Sequence, residues 1–300
     1  MRHLRDSLTT AGLAAVGLVP LLAASPQVAS AQVEGREAIG APVERGVNFQ
    51  EPVTPVAEML VSFHNAYLLP IVLGIVVFVL VLMAYILIRF RETANPVPSK
   101  TSHNTLLEVV WTVVPVILLM IIVVPSMRLL YFQDTIPEAD MTVKATGDTW
   151  AWNYSYPDFA ENVEEYVSNV LDEETADELG VPYLLASDAP LVVPVDTVVK
   201  VLVTSNNNMH SFAMPSFGIK MDAVPGIVNE TWFEARREGT FYGQCSEICG
   251  IKHAYMPIHI EVVSKPEFAQ WIANGGSFIE SAVADAIPSA NALPSDALPK

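Results

Sequence analysis

The sequence predicts a membrane-anchored all-β protein, in which a two-helix transmembrane hairpin precedes a β-sandwich domain. Two long uncharged apolar segments predict the hairpin, and short β-type segments separated by turn residues predict the sandwich. The 300 residues are 51% hydrophobic and only 16% charged. The net charge of −17 argues against a nucleic-acid binder, because such proteins need positive charge to displace counterions from phosphate.

Residues 1–31 have the pattern of a cleaved secretory signal peptide. Arg2 and Arg5 precede a short apolar segment at 11–24, and small residues at 29–31 form a cleavage site. The alternative is an uncleaved anchor, but the apolar segment is shorter than the about 20 residues that span a bilayer. Residues 32–60 show no periodicity and are interpreted as a loose extracytoplasmic N-terminal segment.

The transmembrane hairpin is predicted over residues 61–133, with spans at about 66–88 and 109–130. Each apolar segment is long enough to cross a hydrocarbon core of about 30 Å. Arg89, Arg91 and Lys100 lie between the spans, so the positive-inside rule places this loop in the cytoplasm. Both chain ends then lie on the other side, as the signal peptide also requires.

Residues 134–274 are predicted to form the β-sandwich. Alternating or Val-rich segments occur at 141–146, 191–193, 197–204, 231–235, 240–243 and 258–263, and one short helix follows at 266–274. The Ala-, Ser- and Pro-rich segment 275–300 is predicted to be a flexible tail.

The two cysteines belong to a group of potential metal ligands. Cys245 and Cys249 are followed by His253 and Met256, and His210 lies upstream after a Val-rich strand. Thiolate and thioether are soft donors and imidazole suits copper, so the set resembles a mononuclear copper site with one additional cysteine. Two thiolates could bridge two copper ions.

Two other interpretations of the cysteines must be considered. In an oxidising compartment they could form a structural disulfide. With the two histidines they could form a Cys₂His₂ zinc site, although zinc has no use for the methionine. The histidine and methionine after the second cysteine favour copper.

Four motifs resemble the bacterial type of subunit II of the haem-copper cytochrome c oxidases. They are 104–115 (NTLLEVVWTVVP), 150–157 (WAWNYSYP), 210–226 (HSFAMPSFGIKMDAVPG) and 241–257 (FYGQCSEICGIKHAYMP). The resemblance covers residues 60–274 and implies a cupredoxin-like fold for the sandwich. It also implies that electrons pass from cytochrome c, through a binuclear copper A centre, to haem in subunit I, where oxygen is reduced to water and protons are pumped.

The resemblance assigns the metal ligands. Cys245 and Cys249 would bridge two copper ions, and His210 and His253 would each bind one. Met256 would be the axial ligand of one copper and the backbone carbonyl of Glu247 that of the other. The Glu247 side chain would bind a magnesium or manganese ion at the subunit I interface.

Further roles follow from the same resemblance. Trp150 would be the residue where the electron enters from cytochrome c, and Glu108 would stand at the entrance of a proton path of subunit I. Ala151 and Asn207 depart from the family pattern, which commonly has Tyr and an acid there. Residues 158–178 carry nine acids and no Lys or Arg, which suggests a docking field for a basic cytochrome c or an ordinary solvated loop.

We therefore expect a multi-pass protein of the bacterial inner membrane, with its copper domain on the periplasmic side. The expected partners are subunit I, subunit III, cytochrome c and membrane lipid. A quinol oxidase subunit would lack the copper ligands, and a nitrous oxide reductase would lack the hairpin. The remaining alternative is a membrane-anchored copper-delivery or thiol-redox protein that uses the cysteine pair.

Overall fold

The computed structural model describes residues 38–97 and 99–278. The predicted signal peptide, residues 1–31, and most of the predicted tail, residues 275–300, lie outside these ranges. Within them the long apolar helices precede ten strands, as predicted, but one short strand that was not predicted comes before the helices.

Two long helical segments carry the predicted membrane spans. The first consists of α1 (Pro55–Phe63), a π-helical turn (His64–Leu68) and α2 (Leu69–Arg89), and the second is α3 (Thr105–Asp134). Both are apolar enough to cross a membrane, and none of the most apolar part of either is buried within the chain. They therefore need an apolar environment outside the chain. The π-helical turn ends two residues before Pro70, which has no N–H to donate to the helix.

The segment before the first span is more ordered than its composition predicts. Strand β1 (Ala38–Gly40) pairs in parallel with a strand near residue 240. Further along, Val53 exchanges backbone hydrogen bonds with Ser216 and Arg236, and Val56 and Ala57 of α1 are buried. These partners lie more than 150 residues away, so no local periodicity in the sequence reveals them.

Eleven strands are assigned in the described residues, and the ten after β1 follow the two long helical segments. They are β2 (Met141–Asp148), β3 (Ala151–Ser155), β4 (Tyr166–Ser168), β5 (Leu191–Pro194), β6 (Val198–Ser205), β7 (His210–Met214), β8 (Ile219–Ala223), β9 (Asn229–Glu234), β10 (Gly239–Gln244) and β11 (Pro257–Val263). All six predicted β-type segments coincide with strands. The two remaining helices are α4 (Glu173–Leu179) and α5 (Lys265–Ala273), the latter close to its predicted position.

The strands form two sheets and a hairpin. One sheet has the order β1-β10-β11-β5, the other has the order β4-β3-β2-β6-β9, and β7 pairs with β8. Side chains alternate along β6, where Val199, Val201 and Val203 are fully buried. They share one hydrophobic core with Phe241, Ile258 and Ile260 of the first sheet. The domain is therefore a β-sandwich, as predicted.

The acidic segment 158–178 is folded rather than an irregular loop. It contains β4 and most of α4, whose first turn is capped by the Asp172 side chain, which accepts a hydrogen bond from the Thr175 N–H at 2.9 Å. Ala176 of α4 is buried against Tyr242 on the outer face of the first sheet. The acidic side chains consequently have a defined position on the domain.

Candidate metal centre

The predicted ligands come from three places in the chain and meet at one end of the sandwich. His210 is the first residue of β7, and Cys245 immediately follows β10. Cys249 lies in the loop after it, His253 begins a 3₁₀ turn, and Met256 immediately precedes β11. All of these side chains are buried except His253, which is half-buried.

The donor atoms form a continuous cluster around the two sulfurs. The Cys245 Sγ lies 3.9 Å from the Cys249 Sγ and 3.8 Å from the His210 Nδ1. The Cys249 Sγ lies 3.5 Å from both the His253 Nδ1 and the Met256 Sδ. The Glu247 carbonyl oxygen lies 3.3 Å from the Cys245 Sγ. Each imidazole thus approaches a different thiol, and two weaker donors complete the set.

The geometry argues against the disulfide interpretation. Both cysteines are free, and their sulfurs are nearly twice as far apart as the about 2.05 Å of an S–S bond. Burial, and then the neighbouring Cys245, raise the pKa of the Cys249 thiol to about 12. Binding of a metal to this thiol must therefore displace a proton.

The histidine that starts β7 is suited to binding a metal as a neutral donor. Burial lowers the pKa of His210 below its usual value, an effect that Asp148 partly opposes. The imidazole is therefore uncharged at neutral pH and can offer a nitrogen lone pair. Soft sulfur donors together with neutral imidazole are the ligands that copper prefers, so the residues fit this metal.

Two glycines allow the ligand-bearing elements to approach each other. A Cβ atom at Gly243 would lie within 2.0 Å of the Ala213 carbonyl oxygen, so only glycine lets β10 pass this close to β7. A Cβ atom at Gly147 would lie 2.8 Å from the Cδ2 of His210. The end of β2 is therefore packed directly against the imidazole ring.

Two tryptophans hold the ligand loop from the second sheet. The Nε1 of Trp150, which is half-buried, donates a hydrogen bond to the Cys249 carbonyl oxygen at 3.2 Å. The Asn208 side chain donates to the same oxygen at 3.2 Å. Trp152 is fully buried and its Nε1 donates to the Met256 carbonyl oxygen at 3.3 Å. Both indoles thus contact backbone atoms of predicted ligands.

The side chains of two predicted site residues are not part of the sulfur cluster. Glu247 contributes to it only through its backbone carbonyl, and Glu108 lies on the long helix α3. Glu247 is half-buried, and within the described ranges its carboxylate makes no hydrogen bond or ion pair. Glu108 lies in the first turn of α3, separated from the β domain by most of that helix at about 1.5 Å per residue.

Fold and site together define a membrane-anchored β-sandwich protein with a candidate metal centre rich in sulfur and imidazole. Residues 42–129 match the family described as "Cytochrome C oxidase subunit II, transmembrane domain", and residues 141–263 match "Cytochrome C oxidase subunit II, periplasmic domain".

Curated relatives match this chain over three quarters of its length or more. Cytochrome c oxidase subunit 2 of Cereibacter sphaeroides is 42% identical, over 95% of this chain and 98% of that protein. A probable cytochrome c oxidase subunit 2 of Rickettsia prowazekii is 47% identical, over 77% of this chain and 73% of that protein. The crystal structure of the periplasmic domain of subunit II of cytochrome oxidase of Bradyrhizobium japonicum is 48% identical, covering 47% of this chain and 96% of that one, with a TM-score of 0.43.

The chain belongs to the cytochrome c oxidase subunit II family. It is thus one subunit of a membrane-bound oxidoreductase, with other oxidase subunits as partners and copper as its metal. The resemblance seen in the sequence motifs is confirmed.

Several residues around the centre were not expected from the sequence. Gly147, Asp148 and Asn208 contact the ligands or their supports, yet no motif includes them. The only sequence feature near them is the run of three asparagines before Met209, which by itself is typical of a turn.

Proposed function

We propose that this chain accepts electrons from a cytochrome c at a binuclear copper centre and passes them to haem in subunit I. The observation that carries the proposal is the cluster of six donors, in which four further donors surround two free thiols 3.9 Å apart. One metal ion would use only part of this set, whereas two thiolates suit a pair of ions as bridges.

The ligand assignment follows from which atoms lie together. His210 and the Glu247 carbonyl oxygen lie on the Cys245 side, while His253 and Met256 lie on the Cys249 side. Two copper ions bridged by both sulfurs would share one electron, so bond lengths would change little when the centre is reduced. The chain supports such a carrier by burying the thiols and by holding the loop with hydrogen bonds from Trp150 and Trp152.

Trp150 is the proposed contact for the electron donor. Its indole is partly exposed and one hydrogen bond away from the backbone of Cys249. An aromatic ring in this position offers contact area on the surface and a short covalent and hydrogen-bonded route to a thiol. Ala151, buried beside it, leaves Trp150 without the neighbouring tyrosine ring that the family commonly has.

The acidic segment 158–178 is the proposed docking field for a basic cytochrome c. A folded acidic surface and a basic partner raise the association rate, and salt reduces this effect. Association should therefore slow as ionic strength increases.

Two further roles concern the partner subunits. We propose that the Glu247 carboxylate binds a magnesium or manganese ion at the interface with subunit I, since carboxylate is a hard ligand suited to those ions. Glu108, near the cytoplasmic end of α3, is proposed to stand at the entrance of a proton path of subunit I. Subunit III and membrane lipid are the other proposed neighbours of the hairpin.

The proposed location is the inner membrane of a bacterium, with the copper domain on the periplasmic side. Arg89, Arg91 and Lys100 follow the first span, and positive loops remain in the cytoplasm. The proposed domains are the cleaved signal 1–31, an N-terminal segment 32–60, the hairpin 61–133, the copper domain 134–274 and the tail 275–300.

The test is to count copper bound per full-length chain in detergent and to record its electron paramagnetic resonance spectrum. The proposal requires two copper ions per chain and a hyperfine pattern from two equivalent copper nuclei. His210→Ala should abolish that pattern, whereas His103→Ala, which changes an exposed histidine before α3, should leave it intact. One copper per chain, or a Cys245–Cys249 disulfide without copper, would instead support a copper-delivery or thiol-redox protein.

A further inference from the structure

We propose that Asn207 is a positioning residue that fixes the tautomer of His210, and that Asp148 in turn fixes the orientation of Asn207. The inference rests on the proposed function, in which His210 is a copper ligand through its Nδ1.

The imidazole of His210 is held in one orientation. His210 is fully buried, and a Cβ atom at Gly147 would lie 2.8 Å from its Cδ2, so the backbone of β2 packs directly against the ring. Trp152 approaches it edge-on, with ring centroids 6.1 Å apart. With the ring so confined, Nδ1 lies 3.8 Å from the Cys245 Sγ, and Nε2 lies 3.3 Å from the Asn207 Oδ1.

The neighbours of Asn207 decide which side-chain atom faces the histidine. Its Nδ2 donates hydrogen bonds to the Asp148 carboxylate and, at 3.0 Å, to the Thr149 Oγ1. An ionised carboxylate only accepts hydrogen bonds, so the nitrogen must lie on that side. On the other side, the backbone N–H of Asn208 donates to the Asn207 Oδ1 at 2.6 Å. Two independent contacts therefore place the oxygen toward His210.

An oxygen at this position sets the proton on the imidazole. The Asn207 Oδ1 can only accept a hydrogen bond, so the His210 Nε2 must carry the proton and donate it. The lone pair is then on Nδ1, which faces Cys245. In metal sites such a partner on the second nitrogen orients the ring and increases the basicity of the ligand.

The partner here is a neutral amide, with the charge of Asp148 one residue further out. A neutral acceptor polarises the Nε2–H bond less than a carboxylate does. Asn207 is also exposed, so water competes for the same hydrogen bonds. We therefore expect an effect on copper affinity of about tenfold, at the lower end of the usual range for such partners.

The test compares Asn207→Leu with Asn206→Leu in the full-length chain in detergent. Asn206 is the matched control, because its Nδ2 also donates to Asp148, at 3.1 Å to the other carboxylate oxygen. Of the two asparagines, it is Asn207 whose contact with His210 is observed. Copper retention against a chelator and the reduction potential of the copper centre are measured in both. Asn207→Leu should lower copper affinity about tenfold. It should also raise the potential, since a less basic imidazole stabilises the oxidised metal less. Asn206→Leu should change neither.

A second variant exchanges the two groups, with Asp148→Asn and Asn207→Asp combined. The net charge is unchanged, and the new carboxylate at 207 can accept from both His210 and the new amide at 148. Copper affinity should return to near the wild-type value. The reduction potential should fall below that of the wild type, because a charged acceptor makes the imidazole more basic.

Equal effects of the two leucine variants, or a potential of the exchanged variant at or above that of the wild type, would overturn the inference. The wild type separates this failure from that of the proposed function. If the wild type binds two copper ions but the variants give either of these contradicting results, Asn207 has no positioning role. If the wild type does not bind two copper ions, the proposed copper centre itself is wrong.

Discussion

The indole Nε1 of Trp150 lies 3.2 Å from the carbonyl oxygen of Cys249 and donates a hydrogen bond to it. The two residues are 99 positions apart in the chain. This contact joins the turn between β2 and β3 to the ligand loop, and so connects the surface of the domain to one of the two thiols.

Replacing Trp150 with phenylalanine should separate its role in electron transfer from its role in stability. Trp150→Phe loses one neutral hydrogen bond, so unfolding free energy should fall by about 1 kcal/mol. In the assembled oxidase, reduction of the copper centre by cytochrome c should also slow, while the copper spectrum is retained. Stopped-flow absorbance measures this rate.

Trp232→Phe is the matched control for that experiment. Its Nε1 donates to the Gln133 carbonyl oxygen at 3.0 Å, so it loses the same kind of hydrogen bond outside the metal centre. It should lower stability by a similar amount without slowing reduction. An equal loss of rate in both variants would mean that Trp150 acts only by stabilising the fold.

Met256→Leu should change the copper centre more than the fold. The two side chains have similar volumes, so the unfolding free energy should decrease by less than about 1.5 kcal/mol. The thioether 3.5 Å from the Cys249 Sγ is lost, however, and the potential of copper–thiolate centres responds to such a ligand. The reduction potential should rise, as measured by redox titration. Met214→Leu, another fully buried methionine, should leave it unchanged; a similar shift there would contradict the assignment.

Gly147→Ala should impair copper loading because the added Cβ atom would lie 2.8 Å from the His210 ring. The imidazole must then shift from the position in which its Nδ1 lies 3.8 Å from the Cys245 Sγ. We expect fewer copper ions per isolated chain and a chain that still folds. Gly74→Ala is the control, since a Cβ atom at this position meets nothing within 4 Å in the chain. Full copper occupancy of Gly147→Ala would show that the ring is not confined by β2.

Asp148 should contribute stability that depends on pH. Hydrogen bonds, first from Asn206, hold the pKa of this carboxyl below its usual value. A lowered pKa in the folded state means that the contribution is complete above the unfolded pKa of about 3.9 and is lost as the pH falls through the lower folded value. The stability difference between the wild type and Asp148→Asn should therefore be constant near neutral pH and shrink in acid.

Thermal unfolding at a series of pH values measures this difference. Asp222→Asn, which changes an exposed carboxyl on β8, serves as the control for replacing an aspartate with asparagine. A difference for Asp148→Asn that grows as the pH falls would contradict the sign of the pKa shift.

The membrane spans and most strands could be predicted because their evidence is local. Uncharged segments identified the cores of both long helices, and alternation identified strands such as β6. The helix ends could not be predicted as well. The first helix begins at Pro55, before the apolar segment, because the Thr54 side chain accepts a hydrogen bond from the Ala57 N–H and α1 packs on the β domain.

The metal ligands could be proposed from the sequence because four of the five side chains lie within 12 residues of one another, from Cys245 to Met256. His210, the fifth ligand, lies 35 residues upstream of Cys245. Only the pairing of sheet and hairpin brings its Nδ1 to Cys245. Spacing also left the disulfide interpretation open, and the separation of the two sulfurs was needed to argue against it.

The sequence by itself determined what could be bound and where the chain could cross a membrane, because residue chemistry and local hydrophobicity are properties of short segments. The tertiary structure decided which residues support the ligands. The neighbours of His210, namely Gly147, Trp152 and Asn207, and the contact between Trp150 and Cys249 depend on how the two sheets pack. Most of these contacts join residues far apart in the chain, so no local pattern encodes them and only the packed fold brings the atoms within hydrogen-bonding distance.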